Sequence, residues 1–491
     1  MTAQPSIRTA AIWGMAGQYV VFAAQFATSV IVSRYFLTPG EVGLFGTALA
    51  AAMMVAVFQD FGIGRYVSGE SELDDAKLAR VFSVSIIVAL AIGLFVLALA
   101  WPVAAFYGDR RLFPVLATIA ASYLLVPFAI VPAALLQRRL DFRALFVVNA
   151  GAAFAMAAVI IGTAAGGWSA MSLAFGTIAQ AAVRALLGQV LSGAHPRWPL
   201  ALDGLAPILR FGSGSSLLIL NNALGTRTPE LIIGRILDFV AVGLYGRAVG
   251  LSGQLRQLVS GSIGGVFFPA FSRMRDRGEP FAPAYLRVVS AYSVTTWPAM
   301  LFLAAAAAPL VDFLYGPVWA GVAPLLVLIA ISELAFTALP LHMDVPIVLG
   351  RMRALIKYNA VETVISVALM IAAATISVEW AAASRIAYGI LWFAVYARFM
   401  RVLCAFAWRD MLSIYARSLA CAVATVVPLI AVTGRVLAPA DLDFGLLALA
   451  AIGGCLCWAM CLFAVRHPAR GEFIDLGRML LARLGKRSVN A

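Results

Sequence analysis

Long apolar runs separated by short polar breaks fill the chain, and nowhere does the alternation of period two that marks a half-buried strand take over. Runs long enough to cross a bilayer, which needs about 20 apolar residues, fall near 10–34, 42–62, 80–106, 112–136, 144–165, 169–192, 205–226, 241–267, 284–310, 320–342, 354–376, 380–403, 412–433 and 444–465. The pattern predicts an all-α polytopic membrane protein with about 14 transmembrane helices. The first run carries one early cation, Arg8, and is longer than the apolar core of a cleaved signal, so it reads as a retained first helix.

The polar breaks orient the spans. With the N-terminus inside, the predicted cytoplasmic segments plus Arg8 and Arg210 hold about 26 of the 36 Lys and Arg. About six (Arg34, Arg110, Arg111, Arg227, Arg235 and Arg435) lie at the opposite ends. Both termini are therefore expected inside, and the even number of spans agrees. The last stretch, "RHPARGEFIDLGRMLLARLGKRSVNA", interleaves apolar and basic residues, as does an amphipathic helix on anionic headgroups or a solvated basic tail.

Composition supports the class, with 63% hydrophobic and 12% charged residues. The net charge of +13 would point to nucleic acid in a soluble protein, but here the loop asymmetry accounts for most of it and no nucleic-acid partner is expected. The five cysteines have neither metal-ligand nor disulfide spacing, and the three histidines form no ligand pair. No Walker A loop is present, so ATP hydrolysis within this chain is excluded. No metal, no cofactor and no enzymatic activity are expected.

Two stretches share a skeleton: "IVSRYFLTPGEVGLFGTA" at 31–48 and "IIGRILDFVAVGLYGRA" at 232–248. They lie six spans apart and so enter the membrane in the same direction, which makes a parallel repeat whose substrate site is expected between the halves. The expected domains are an N-lobe at 1–195 (helices 1–6), a C-lobe at 196–405 (helices 7–12), two extra helices at 406–465 and a basic amphipathic tail at 466–491.

Together with "FQDFGIGRYV", "LLQRRLDFRAL", "ELIIGRILDFVAVGLYGRA" and "GGVFFPAFSRMRD", the first repeat resembles the polysaccharide-transport branch of the multidrug/oligosaccharidyl-lipid/polysaccharide flippase superfamily, which includes colanic-acid exporters. The resemblance spans about residues 5 to 410. It implies two six-helix lobes around a cavity, two further helices, alternating access, and movement of an undecaprenyl-pyrophosphate-linked oligosaccharide across the bacterial inner membrane for exopolysaccharide or O-antigen synthesis. The expected partners are that substrate, membrane lipids, polysaccharide polymerase and export machinery, and a coupling ion, H+ or Na+. Family members often carry Asp before the I-I-G-R run; here the run reads "TPELIIGR", so no role is carried over to that position. Alternatives are a multidrug or other lipid-intermediate exporter of the same superfamily, or a membrane glycosyl polymerase or ligase, which the short outside loops disfavour.

Polar groups kept inside apolar runs are the candidate site. Arg247 with Gln254, seven residues on and so on one face, would meet an anion in the cavity; otherwise Arg247 snorkels to headgroups or pairs with Asp238 or Glu230. Gln18, Gln25 and Ser29 on helix 1, and Ser215, Asn222 and Thr226 on helix 7, form stripes of like spacing that either line a sugar cavity or hydrogen-bond between helices. Arg34 and Arg235 hold equivalent repeat positions, as interface anchors or as a gate. Arg227 and Glu230 read as a local pair, and Arg184 and Arg256 as side chains snorkelling to helix ends. Asp60, Glu333, Glu362 and Arg385 are candidates for ion coupling, with Glu362 and Arg385 able to pair.

Overall fold

The computed structural model describes residues 7–57, 66–67, 74–194, 225–260 and 271–474 of the 491-residue chain. Among them every regular element is a helix. The chain divides into two compact units, Met1–Gly243 and Leu244–Ala491.

The first unit contains α1 (Ile7–Tyr35), α2 (Pro39–Ala56), α3 (Asp75–Tyr107), α4 (Leu112–Tyr123), α5 (Pro127–Arg138), α6 (Phe142–Ala165), α7 (Met171–Ser192) and α8 over 225–236. Helix α9 (Phe239–Ser260) starts at its end and runs into the second unit. That unit continues with α10 (Phe281–Ala305), α11 (Ala307–Tyr315), α12 (Val322–Phe336), α13 (Asp344–Val348), α14 (Met352–Ala374), α15 (Val378–Cys404), α16 (Trp408–Thr433) and α17 (Phe444–Ala464). Ten described helices are long and apolar enough to cross a membrane, and α4 with α5, bent by 42° at the Pro127 break, makes an eleventh if the pair is one span. The protein is a multi-pass membrane protein, although these helices do not establish the expected total of fourteen. Helix α9 carries Arg247, Gln254 and Arg256 in its body and stands outside the ten.

Local chemistry sets the helix ends. The Asp74 carboxylate accepts from Lys77 N–H at 2.6 Å to start α3, and Gly108 ends it at φ 72. Glu41 accepts from the Thr38 backbone N–H at 2.7 Å and from its hydroxyl at 2.9 Å, and also takes the Ser169 hydroxyl, which ties the start of α2 to the loop before α7. Inside the spans hydroxyls turn back on their own helix: Thr28, Ser83, Thr163, Ser293, Thr337 and Thr425 each donate to the carbonyl four residues earlier. An apolar run thereby keeps its hydroxyls without leaving them unsatisfied in hydrocarbon.

The first unit is built on α2, α3 and α4, where Leu44, Ile92, Val96, Leu112, Leu116 and Ile119 are buried against small residues such as Ala48, Ala52 and Ala100. In the second unit, α10, α14, α15 and α16 enclose Tyr285, Val288, Leu355, Trp392, Tyr396 and Met411. Lipid tails are as apolar as these side chains, so close fit rather than flight from water drives the packing, and small residues permit that fit.

The repeated V-G-L-aromatic-Gly motif has a structural reason. A Cβ on Gly43 would lie 1.7 Å from the Phe239 carbonyl oxygen, and one on Gly243 would lie 2.0 Å from that of Pro39. The first turns of α2 and α9 therefore touch backbone to backbone, each copy of the motif supplying the glycine that the other needs. Gly43→Ala is expected to lower thermal stability in detergent by ~1–3 kcal/mol, as forced overpacking does. Gly250→Ala, with nothing within 4 Å of its Cβ, should be neutral or stabilising by up to ~1 kcal/mol. Equal melting temperatures for the two variants would contradict the contact.

Past the last span the chain folds back on the bundle. His467 is fully buried; its Nδ1 accepts from Ala469 N–H at 3.2 Å, so its Nε2 carries the proton and donates to Ser418 Oγ at 3.0 Å. Ser293 donates to the Val289 carbonyl at 2.7 Å, which leaves Ser418 as donor to Ser293 across 2.9 Å. Trp458 Nε1 donates to the Val294 carbonyl at 2.8 Å and its ring meets Phe473 edge-on. Burial first, and the Arg417 guanidinium second, push the His467 imidazole down to about 4 from 6.5. A depressed histidine stabilises the fold fully above pH 6.5, and that contribution drains away as pH falls towards 4, at most ~3 kcal/mol. Thermal melts between pH 7 and 4 should fall more steeply for the wild type than for His467→Gln; parallel curves would refute the assignment.

Candidate functional site

The second unit gathers cations and carboxyls from α9, α12, α14 and α15. The guanidinium of Arg247 lies 5.7 Å from the centre of the Tyr315 ring and 5.5 Å from that of Trp319, both buried. Gly316, at φ 82 and ψ 178, makes the turn that sets these rings side by side. A side chain with Cβ is excluded from that backbone geometry. These cation–π contacts pack the guanidinium against the two rings. Gln254, on the same face of α9, is half-buried.

Two residues beyond Gln254, and so on another face of α9, stands a second cation. Arg256 Nε reaches Glu333 Oε2 at 3.5 Å while Arg385 donates to Glu333 Oε1 at 3.1 Å. The Glu333 carboxylate is buried, Arg385 is largely so, and Arg256 is 45% exposed. Arg385 also packs on the Phe336 ring at 5.3 Å and faces the hydroxyls of Tyr245 and Tyr388. The triad carries a net charge of +1, with the surplus on its accessible member. Two readings of the sequence change here: Arg385 pairs with Glu333 rather than Glu362, and Arg256 turns inward to a carboxylate instead of snorkelling. A buried carboxylate outweighs the interface for Arg256 because Glu333 would otherwise keep only one counterion.

Glu362 sits in a different setting. Its Oε1 accepts from Tyr388 Oη at 3.3 Å, and its buried Oε2 has no hydrogen-bond partner among the described residues. Tyr396, which also faces this carboxyl, donates to Asn359 Oδ1 at 2.9 Å. The surroundings are aromatic and hydroxylic, with no guanidinium or ammonium in salt-bridge reach among the described residues.

In the first unit, Gln18 and Gln25 are exposed and Ser29 half-buried, roughly 70° around α1 from the Gly14–Gly17 face that packs on Phe142 and Phe146 of α6. Arg34 is exposed at the end of α1. Arg235 stacks on Phe106 at 4.9 Å, beside Tyr107, which donates to the Leu231 carbonyl at 2.9 Å. Thr226 is exposed, and Arg227 and Glu230 approach to 3.9 Å as the expected local pair. Asp60, Ser215 and Asn222 lie outside the described residues. The structure thus brings Arg247, Gln254, Glu333, Glu362 and Arg385 into one unit and leaves Gln18, Gln25, Ser29, Arg34, Thr226 and Arg235 in the other. Sequence reasoning missed Tyr315 and Trp319; the glycine-proline break in "FLYGPVW" is the signal that an aromatic-flanked turn stands there.

The fold defines a helical, multi-pass membrane protein that keeps charged side chains within its apolar helices. A family model described as "Polysaccharide biosynthesis protein" matches residues 31–324, and the chain belongs to that family. The lipopolysaccharide biosynthesis protein WzxC of Escherichia coli K12 is 22% identical over 326 residues, 66% of each chain. The succinoglycan biosynthesis transport protein ExoT of Rhizobium meliloti is 27% identical over 331 residues, 65% of each chain. The chain thus matches just under two thirds of the length of these relatives. Among solved structures, the inward closed conformation of the lipid II flippase MurJ superposes with a TM-score of 0.74 at 13% identity, covering 94% of this chain and all of that one. An inward-facing multidrug resistance transporter of the MATE family reaches 0.51 at 16% identity, over 77% of this chain and 94% of that one.

Glu333→Ala is expected to destabilise the protein by ~3–5 kcal/mol, because it strands the largely buried Arg385 without its carboxylate. The double variant Glu333→Leu/Arg385→Met should recover most of the loss, as read from melting temperatures in one detergent. Failure of the double variant to recover would show that the pair does more than neutralise itself.

Proposed function

We propose that the protein is a flippase of the bacterial inner membrane, both termini cytoplasmic, which moves an undecaprenyl-pyrophosphate-linked oligosaccharide to the outer leaflet for exopolysaccharide or O-antigen synthesis. The observation that carries this reading is the likeness of nearly the whole fold to a lipid II flippase in a chain of the polysaccharide biosynthesis family. Lipid II is itself a polyprenyl pyrophosphate bearing sugars, so the cargo of that protein has the chemistry proposed here. The relative named as a succinoglycan biosynthesis transport protein supports a transporter over an enzyme.

A lipid-linked glycan needs a polar route only for its head. Its pyrophosphate would be met by Arg247, held in place by Tyr315 and Trp319, and by Arg256, the exposed member of the triad. The hydroxyls of the sugar chain would be met by Gln254, Gln18, Gln25, Ser29 and Thr226, with Ser215 and Asn222 completing the stripe, while Arg34 and Arg235 act as gate or interface residues. Glu362 is the coupling candidate that the geometry favours, since Glu333 already has two cations; a lone carboxyl among hydroxyls can take up H+ or Na+. Asp60 stays a coupling candidate from sequence, and polymerase and export machinery stay the proposed partners. The likeness to a multidrug transporter keeps a second cargo class in play.

Cells lacking the protein should accumulate polyprenyl-linked repeat units on the cytoplasmic face. Arg247→Ala should abolish export at unchanged membrane abundance, and Arg247→Lys should retain part of it. Export by the Ala variant at the wild-type rate would remove Arg247 from the route; drug sensitivity without glycan accumulation would favour the second cargo class.

A further inference from the structure

A concavity of about 800 Å³ lies in the second unit where the starts of α10 and α16 meet the chain just past α17. These are three span ends on one membrane surface, so the groove opens at a headgroup layer. Its apolar lining includes Phe271, Leu286 and Ile414. Three charged side chains also line it, Arg287 from α10, Asp410 from α16 and Glu472 from the returning tail. All three are exposed, and none has an ion pair or hydrogen bond among the described residues. Deeper in, Ser290 is 2% exposed and its hydroxyl has no hydrogen-bond partner among the described residues, although it lines the cavity. A buried hydroxyl left unpaired costs about 1–3 kcal/mol, and a ligand carbonyl would remove that cost.

We propose that this groove binds a zwitterionic, amine-bearing phospholipid of the adjoining leaflet, phosphatidylethanolamine in chemistry. An ammonium fits between Asp410 and Glu472, a phosphate fits Arg287, a glycerol ester carbonyl accepts from Ser290, and the acyl chain lies along Phe271, Leu286 and Ile414. The charge pattern selects among the alternatives. Two carboxylates against one guanidinium disfavour a pyrophosphate or an anionic phospholipid. A quaternary ammonium has no N–H to donate and would bind less well. The volume falls within the range of ordinary ligand sites, roughly 300–1,000 Å³. The assignment is independent of the cargo proposed above, because it needs only a membrane-spanning chain.

The test uses the full-length protein, purified in mild detergent and exchanged into lipid-free micelles. Dioleoyl phosphatidylethanolamine, phosphatidylglycerol and phosphatidylcholine are each added back, and retained lipid is counted by native mass spectrometry beside the melting temperature. Retention of phosphatidylethanolamine above the other two is expected, falling about two- to fivefold in Asp410→Asn and again in Glu472→Gln. Ser290→Ala should weaken retention without changing the headgroup preference. Arg351→Ala and Arg398→Ala line a separate groove of about 530 Å³ and should leave the preference intact. Preference for phosphatidylglycerol, equal retention of all three lipids, unchanged retention in the carboxylate variants, or no retained lipid at all would each overturn the proposal.

Discussion

Hydrocarbon offers a polar group nothing to bond to, and the arrangement of this protein follows from that constraint. Backbone amides are closed off within helices, and several serine and threonine hydroxyls, among them Thr28, Ser83 and Thr425, bond carbonyls of their own helix. Charges remain, and the structure disposes of them in distinct ways. Glu333 is shared between two guanidiniums, Arg247 and Arg235 lie against aromatic rings, and Glu362 is placed among phenols. Each solution costs a different amount to disturb, and function is expected where disturbance is cheapest.

That ordering separates scaffold from working parts in the second unit. The Glu333–Arg385 bond is largely buried, so its removal strands a charge and threatens the fold. Arg247 packs on the Tyr315 and Trp319 rings, contacts of a kind worth about 0.5–2 kcal/mol. Arg256 stands between the two cases, tied to Glu333 at 3.5 Å yet nearly half exposed.

Duplication supplies the other structural theme. Each repeat brings a helix start with glycine at the same place, and the two glycines make room for each other's backbone. A motif that looks like two independent copies in the sequence therefore acts as one contact. Neither copy's glycine has the same justification alone, because a helix start open to lipid tolerates alanine better than glycine.

Much of this was legible in the chain itself. Period and run length announced helices and the long apolar runs announced a membrane, because these properties depend on residues near one another in sequence. The local pair Arg227–Glu230 was readable for the same reason, three residues apart on one helix. Partners drawn from different helices were not. Sequence spacing shows that Arg385, Glu333 and Glu362 all lie within apolar runs, yet gives no register between α12, α14 and α15, so it could not choose which carboxylate Arg385 meets. The rings that hold Arg247 belong to a turn some seventy residues away, and the groove at Arg287, Asp410 and Glu472 exists only where three span ends converge. Helix rotation and depth decide such contacts, and packing between helices sets both.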